Sequence, residues 1–131
     1  MSEIEIKLAA GTDVGLVRKN NEDNFVVNRD LSQSEWIIPQ SSETIPLGKY
    51  GTLLVVADGM GGTNAGEVAS AIAIETVQNA FTPEKLDKIV TFEGEMATEE
   101  AIEEFLTKTI KAADLNIVNA SKEDSSTQGM G

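Results

Sequence analysis

The strongest constraint on the fold of this chain is an uninterrupted apolar run that leads directly into an acidic residue and a cluster of glycines. The run extends from Thr52 to Ala57, which is the length of one strand. Continuous apolar runs of this length are typical of strands that are buried on both faces. Asp58 follows at once, and four glycines lie in the segment Gly59–Gly66. The pattern predicts a central strand that ends in a carboxylate. The glycines are either ordinary loop residues or positions that let the backbone approach an ion or a phosphate closely.

An amphipathic helix is predicted directly after this strand. We expect Asn64 to open it, because Glu67 stands three residues later in a spacing close to a capping box. Apolar residues then cover a broad face from Glu67 to Phe81. Pro83 is expected to end this helix or to start the next turn.

A second long helix is predicted from about Thr98 to Ala120. Thr98 is a suitable N-cap, and Glu99 and Glu100 suit the positive end of the helix dipole. The helical spacing is carried by Ile102, Phe105, Leu106, Thr109, Ile110, Ala113 and Ile117.

Two further strands are predicted before the central one. Ile4, Ile6 and Leu8 alternate with charged residues, which is typical of a half-buried strand, and residues 25–27 (Phe-Val-Val) indicate another. Residues 30–49 predict a long irregular connection, in which residues 36–38 (Trp-Ile-Ile) form a short strand or a packing anchor. Two helices can cover one face of the resulting sheet, and nothing in the chain is expected to cover the other.

Composition narrows the classes of function. The chain has 131 residues, enough for one domain, and its net charge of −12 argues against nucleic acid and anionic membrane surfaces as partners. No apolar run approaches the length of a membrane span, and we expect a cytoplasmic protein. The chain contains neither His nor Cys, so oxygen atoms must hold any metal ion, which favours Mg²⁺, Mn²⁺ or Ca²⁺.

Each charged residue can be interpreted either as an ordinary surface or turn residue or as part of a binding site. A carboxylate at the end of a buried strand, as expected for Asp58, is poorly solvated unless it is paired or bound to a cation. Asp58-Gly59 is also a common hairpin signal, although a helix rather than a strand is predicted to follow. Glu22, Asp23 and Arg18 could each be solvated surface charges. Each signal alone leaves both interpretations open.

Two long segments together resemble a known family. Residues 12–25 (TDVGLVRKNNEDNF) resemble the first motif of the PP2C-like metal-dependent serine/threonine protein phosphatases. Residues 55–62 (VVADGMGG), followed by 66–70 (GEVAS), resemble the second motif, and residues 129–131 (GMG) resemble the start of a third. The Met-Gly-Gly form is typical of the bacterial branch of the family.

The resemblance implies an α+β fold, the PP2C-like α-β-β-α sandwich of two antiparallel sheets with helices outside. Residues 1–131 would be a partial domain, about the first half of the catalytic domain. They would contribute the first metal and phosphate motifs and the two helices of one outer layer.

The resemblance also implies roles for individual residues. Asp58 would bridge two Mn²⁺ or Mg²⁺ ions, the Gly59 carbonyl and Glu22 would add ligands, and Asp23 would order metal-bound water. Arg18 would grip the substrate phosphate, for which a guanidinium fork is suited. The implied reaction is hydrolysis of phosphoserine and phosphothreonine in phosphorylated proteins by a water that the two ions activate.

The sequence departs from the family pattern in two respects. Met60 stands where eukaryotic members often carry His, and the later Asp-Gly and Asp-Asn elements of the family do not occur after residue 59. We therefore expect this chain to be inactive alone, with self-association or strand exchange covering its exposed sheet. The alternative is a non-catalytic module that binds phosphopeptides or a partner, and a calcium-binding module is disfavoured because no loop has EF-hand spacing.

Overall fold

The computed structural model describes residues 4–62, 64–92, 95–96 and 98–131, and it shows a mixed α+β fold. The strands are β1 (Glu5–Leu8), β2 (Asp23–Asn28), β3 (Glu43–Pro46), β4 (Leu53–Asp58), β5 (Thr91–Phe92) and β6 (Glu95–Met96). The helices are α1 (Ala65–Ala80), α2 (Pro83–Val90) and α3 (Glu99–Glu123), followed by a short 3-10 helix, Ser125–Thr127. None of the helices within these ranges has both the length and the apolar character that crossing a bilayer requires.

All strand pairing is antiparallel among the described residues: β1 pairs with β3, β2 with β4, and β5 with β6. The predicted α+β class is confirmed. The strands predicted around Ile6 and around Val26 are confirmed as β1 and β2.

The connection over residues 30–49 is more ordered than predicted. Residues 43–46 form β3, where Ile45 is buried against Leu8 and Val27. The prediction of an irregular connection is wrong for this part, because a four-residue strand that ends in Pro46 carries little periodic signal, and an edge position tolerates proline. Residues 36–38 serve in both predicted ways, since Ile37 bridges to Val27 and Trp36 packs into an apolar cluster.

The prediction for the central strand, β4, is wrong. The apolar run predicted a strand buried on both faces, but side chains along β4 alternate between partly buried and exposed. Leu54 is 53% exposed and Val56 is 78% exposed. The physical reason is that α1 packs against only one face of the β2–β4 sheet, and no described element covers Leu54 and Val56 on the other.

The start of α1 also differs from the prediction. Asn64 has a left-handed backbone (φ 67°) and makes no side-chain capping bond, so the expected capping box does not form. Its Oδ1 instead accepts a hydrogen bond from Asn20 Nδ2 at 2.8 Å. The helix ends at Ala80, and Pro83 then begins α2, a helix that was not predicted. Proline suits this first position because its missing N–H has no partner there in any helix.

The third helix forms largely as expected. Thr98 is its N-cap, with Oγ1 accepting a hydrogen bond from the Ala101 N–H at 3.2 Å, and the helix runs to Glu123 rather than Ala120. It packs against α1, and the rings of Phe81 and Phe105 meet edge to face with centroids 4.9 Å apart. The two long helices thus form a layer on one side of the sheet.

Candidate metal and phosphate site

The five residues predicted to form a site lie around one open cleft of about 800 Å³. Arg18 and Glu22 come from the loop before β2, Asp23 begins β2, and Asp58 ends β4 with Gly59 directly after it. The remaining lining residues are Asp13, Val14, Asn20, Asn21, Met60, Gly61 and Gly131. The structure therefore brings together five predicted residues that are up to 41 positions apart in the sequence (18 to 59).

Two carboxylates face each other across the end of the sheet. Asp23 and Asp58 are directly opposed in the antiparallel register of β2 and β4. Partial desolvation raises the pKa of Asp23, and a hydrogen bond with Asp58 and the negative charges of Asp58 and Glu22 raise it further. Two like charges held at this spacing favour a shared proton or a bound cation.

Backbone segments cross closely beside these carboxylates. A Cβ atom on Gly59 would lie 2.0 Å from the carbonyl oxygen of Gly66 and 2.8 Å from that of Glu22. A Cβ on Gly66 would lie 2.3 Å from Glu22 Oε2. Gly59 and Gly66 are therefore required by a close crossing of backbone segments, because the start of α1 packs against the turn after β4. The proximity of Gly66 to the Glu22 carboxylate was not predicted.

Asparagine side chains hold the loop that carries Arg18 and Glu22. Asn20 bonds to Asn64 at the start of α1, and Asn21 Nδ2 donates to Thr12 Oγ1 at 2.6 Å. Asn21 Oδ1 also accepts a hydrogen bond from the Asp23 N–H at 3.1 Å. These bonds fix the loop to α1 and to the segment before it, which positions the start of β2 at the cleft.

The Arg18 side chain is exposed at the cleft. The ion pairs of the described chain join other residues, Arg29 to Glu43 and Lys108 to Glu104. Arg18 takes part in neither, so its guanidinium is available to an incoming anion. A planar guanidinium can give two parallel hydrogen bonds to the oxygens of one phosphate.

A hard cation fits this site only in part. Asp23 and Asp58 present facing carboxylates, while the Glu22 carboxylate lies against Gly66. Within the described ranges, no three acidic side chains converge closely enough to hold a metal ion. The oxygen-only donor set suits Mn²⁺ or Mg²⁺, but these residues alone supply an incomplete set of ligands.

The last residues of the chain border the same cleft. Met60 and Gly131 exchange two backbone hydrogen bonds, of 2.6 Å from the Met60 N–H and 2.8 Å from the Gly131 N–H. Met130 is buried with Ala65 and Ala69 of α1. Sequence reasoning marked residues 129–131 as the start of a motif but did not place them beside Asp58. The only available signal was the motif itself.

Sequence comparison shows which known proteins the chain is similar to. It is 32% identical over 120 residues to a protein of Listeria monocytogenes serotype 4b named "Serine/threonine phosphatase stp", and it has the same identity over the same length to its namesake from Listeria innocua. Each alignment covers 92% of this chain and 37% of the relative, so the chain spans well under half the length of these curated relatives. No protein-family model and no solved structure matches the chain.

The sequence similarity and the residues that line the cleft are consistent with each other. The chain is similar to bacterial serine/threonine phosphatases, and the residues predicted for phosphate and metal binding share one cleft.

Proposed function

We propose that this chain forms the first part of the catalytic domain of a PP2C-like, metal-dependent serine/threonine protein phosphatase that acts on phosphorylated proteins. The observation that carries the proposal is the placement of Asp23 opposite Asp58 in a cleft that Arg18 and Glu22 also line. The similarity to proteins named serine/threonine phosphatase supports it independently.

In this proposal Arg18 binds the substrate, and the acidic residues act on the cation and on water. Arg18 binds the phosphate oxygens, because it is exposed at the cleft and takes part in none of the ion pairs of the described chain. Asp58, Glu22 and the Gly59 carbonyl hold the cation, and Asp23 accepts hydrogen bonds from water in the cleft. Mn²⁺ or Mg²⁺, when bound, would lower the pKa of water and offset the negative charge of the phosphoryl group.

The electrostatics of the cleft favour a cation. Asp23 and Asp58 are adjacent, and Glu22 adds a third negative charge that acts on Asp23. Holding these charges together opposes folding, and a divalent cation held by Asp58 and Glu22 would offset their mutual repulsion.

We expect no appreciable turnover by this chain alone. The described residues supply an incomplete set of ligands, and the family resemblance places further aspartates in later segments. We infer that a phosphopeptide is bound but not appreciably hydrolysed, which a phosphate-release assay in Mn²⁺ checks. Self-association by strand exchange stays a prediction, which light scattering tests.

A second candidate function follows from Arg18. Because neither ion pair in the described part of the chain involves it, Arg18 could serve a module that binds phosphopeptides without any metal. The two functions differ in one respect. A metal-independent module keeps its phosphopeptide affinity in the presence of a chelator, whereas the phosphatase site loses part of it.

The test is the affinity for a fluorescent phosphothreonine peptide in Mn²⁺. The substitution Arg18→Ala should weaken peptide binding by about tenfold to a hundredfold, because a hydrogen bond to a charged group contributes about 1.5–3 kcal/mol. Arg29→Ala is the matched control, since Arg29 pairs with Glu43 and does not line the cleft. Equal affinity of wild type and Arg18→Ala, or of phosphorylated and unphosphorylated peptide, would contradict the proposal.

A further inference from the structure

The loop that carries Arg18 is held by few contacts. Residues 9–20 are all exposed, so packing does not fix the position of this loop. Among the described residues, no backbone hydrogen bond joins residues 9–20 to another element. Asn21 fixes the end of the loop next to β2, through its bonds to Thr12 and to the Asp23 N–H. Arg18 precedes that anchor and lies on the exposed part of the loop.

One side-chain bond ties this exposed part to the helical layer. Asn20 Nδ2 donates a hydrogen bond to Asn64 Oδ1 at 2.8 Å, directly before the first residue of α1. Within the described ranges, it is the one hydrogen bond from residues 14–20 to a residue outside the loop. The position of Arg18 relative to α1 therefore depends on this pair of asparagines.

Asn64 makes this bond from an unusual backbone conformation. Its φ is 67°, and it is the one non-glycine residue with a positive φ in the part of the chain that the structure describes. Glycine adopts such angles at no steric cost, and the segment Gly59–Gly66 already contains four glycines. A backbone requirement alone would therefore favour glycine at position 64. The reason for an asparagine must lie in its side chain.

The side chain of Asn64 does not serve the helix that it precedes. Asparagine at this position usually caps the first turn by accepting a hydrogen bond from a backbone N–H. Asn64 makes no such bond, and its Oδ1 is bound to Asn20 instead. Residues in sparsely populated backbone conformations are concentrated at functional sites, where the surrounding structure maintains the strain. Here the strained residue carries the bond that ties the Arg18 loop to α1.

We propose that Asn64 is a positioning residue for phosphate binding, which acts through Asn20 to hold Arg18 at the cleft. Asn20 lines the cleft beside Arg18, whereas Asn64 does not line it. This role rests on the proposed function of Arg18 in binding the substrate phosphate. A loop that is held before the substrate arrives loses less conformational freedom on binding, so the bond between the two asparagines raises the affinity for phosphate.

The affinity for the fluorescent phosphothreonine peptide in Mn²⁺ tests this role. Asn64→Gly removes the acceptor but keeps a residue suited to the left-handed backbone, and Asn20→Ala removes the donor. Each substitution should weaken binding about two- to tenfold, the equivalent of one hydrogen bond. The double variant should bind no more weakly than either single variant, because the two residues act as a pair.

Two controls separate positioning from a general loss of structure. The melting temperature of Asn64→Gly should stay within about 3 °C of wild type, because relief of the left-handed backbone offsets the loss of one exposed hydrogen bond. In the Arg18→Ala background, Asn64→Gly should change the affinity by less than about twofold, because its effect passes through Arg18.

The mobility of the loop without any ligand gives an independent readout. The backbone ¹⁵N order parameters of residues 16–18 should fall from about 0.8 in wild type to below about 0.6 in Asn64→Gly. Asn64→Asp keeps an oxygen acceptor for Asn20 and tolerates the left-handed backbone. It should therefore keep the order parameters of wild type.

The outcomes distinguish the positioning role from the proposed function. Equal affinity of wild type and Arg18→Ala would overturn the proposed function and the positioning role with it. Weakened binding by Arg18→Ala, together with wild-type binding by Asn64→Gly, would overturn the positioning role alone. An equal effect of Asn64→Gly with and without Arg18 would also exclude that role, as would a loop that is as mobile in Asn64→Asp as in Asn64→Gly.

Discussion

Asp23 and Asp58 are opposite each other at the end of the β2–β4 ladder that opens into the cleft. Residues directly opposed in an antiparallel pair bring their side chains to within a few ångströms on one face of the sheet. The same ladder that stabilises the sheet thus holds two negative charges together. This arrangement costs stability in the absence of a cation. The pKa of Asp23 is raised first by partial desolvation and then by its hydrogen bond with Asp58 and the neighbouring negative charges.

Asp23→Asn should therefore stabilise the metal-free chain at neutral pH. A carboxyl whose pKa is higher in the folded than in the unfolded state binds more protons when folded, so its contribution to stability falls as pH rises from the ordinary value of 3.8 through the raised folded value. The melting temperature of Asp23→Asn should exceed that of wild type at pH 7. The difference should shrink as the pH falls from the raised pKa of Asp23 towards 3.8.

Thermal unfolding monitored by circular dichroism in a chelator, from pH 3 to pH 7, measures this effect. Asp114→Asn is the matched control, because Asp114 is exposed on α3 and does not line the cleft. A lower melting temperature of Asp23→Asn at pH 7, or a difference that does not change with pH, would contradict the account.

Gly59→Ala should destabilise the chain strongly. The added methyl group would lie 2.0 Å from the Gly66 carbonyl oxygen and 2.8 Å from that of Glu22, and backbone atoms cannot move aside as a side chain can. We expect a loss of about 3 kcal/mol or more in the free energy of unfolding, measured with urea. Gly62→Ala is the control, since a Cβ on Gly62 meets no atom within 4 Å, and should change stability by less than about 0.5 kcal/mol. Equal stability of the two variants would show that the close crossing is absent in solution.

Met130→Ala should also destabilise the chain, although Met130 lies in a stretch that looks polar in the sequence. Met130 is buried to 7% exposure against Ala65 and Ala69, and loss of a buried methionine side chain costs about 2–5 kcal/mol. Met60→Ala is matched in chemistry, but Met60 is 67% exposed and its loss should cost less than about 0.5 kcal/mol. Similar urea midpoints for the two variants would mean that the end of the chain is not packed against α1.

Local patterns predicted the elements that have strong periodicity. Alternating apolar residues identified β1, and helical spacing with a good N-cap at Thr98 identified α3. Helix α2 was not predicted because Pro83 was interpreted as the end of the preceding helix or the start of a turn, although proline is also favoured at the first position of a helix. Strand β3 contains Ile45 as its one aliphatic side chain and ends in Pro46, so it shows no alternation.

The candidate site could be predicted only as a set of residues. Motif resemblance identified Arg18, Glu22, Asp23, Asp58 and Gly59, and all five line one cleft. The register that opposes Asp23 to Asp58 is a tertiary property, since it depends on which strand β4 pairs with and not on local sequence. The exposure of Val56 depends in the same way on what covers the sheet, and the apolar run alone predicted burial on both faces.

The most direct test of the central claim is a calorimetric titration of the chain with Mn²⁺. The account predicts weak but measurable binding by wild type, at least about tenfold weaker binding by Asp58→Asn, and unchanged binding by Asp114→Asn. Equal heats from wild type and Asp58→Asn, or no binding by wild type, would contradict the assignment of Asp58 to a metal site.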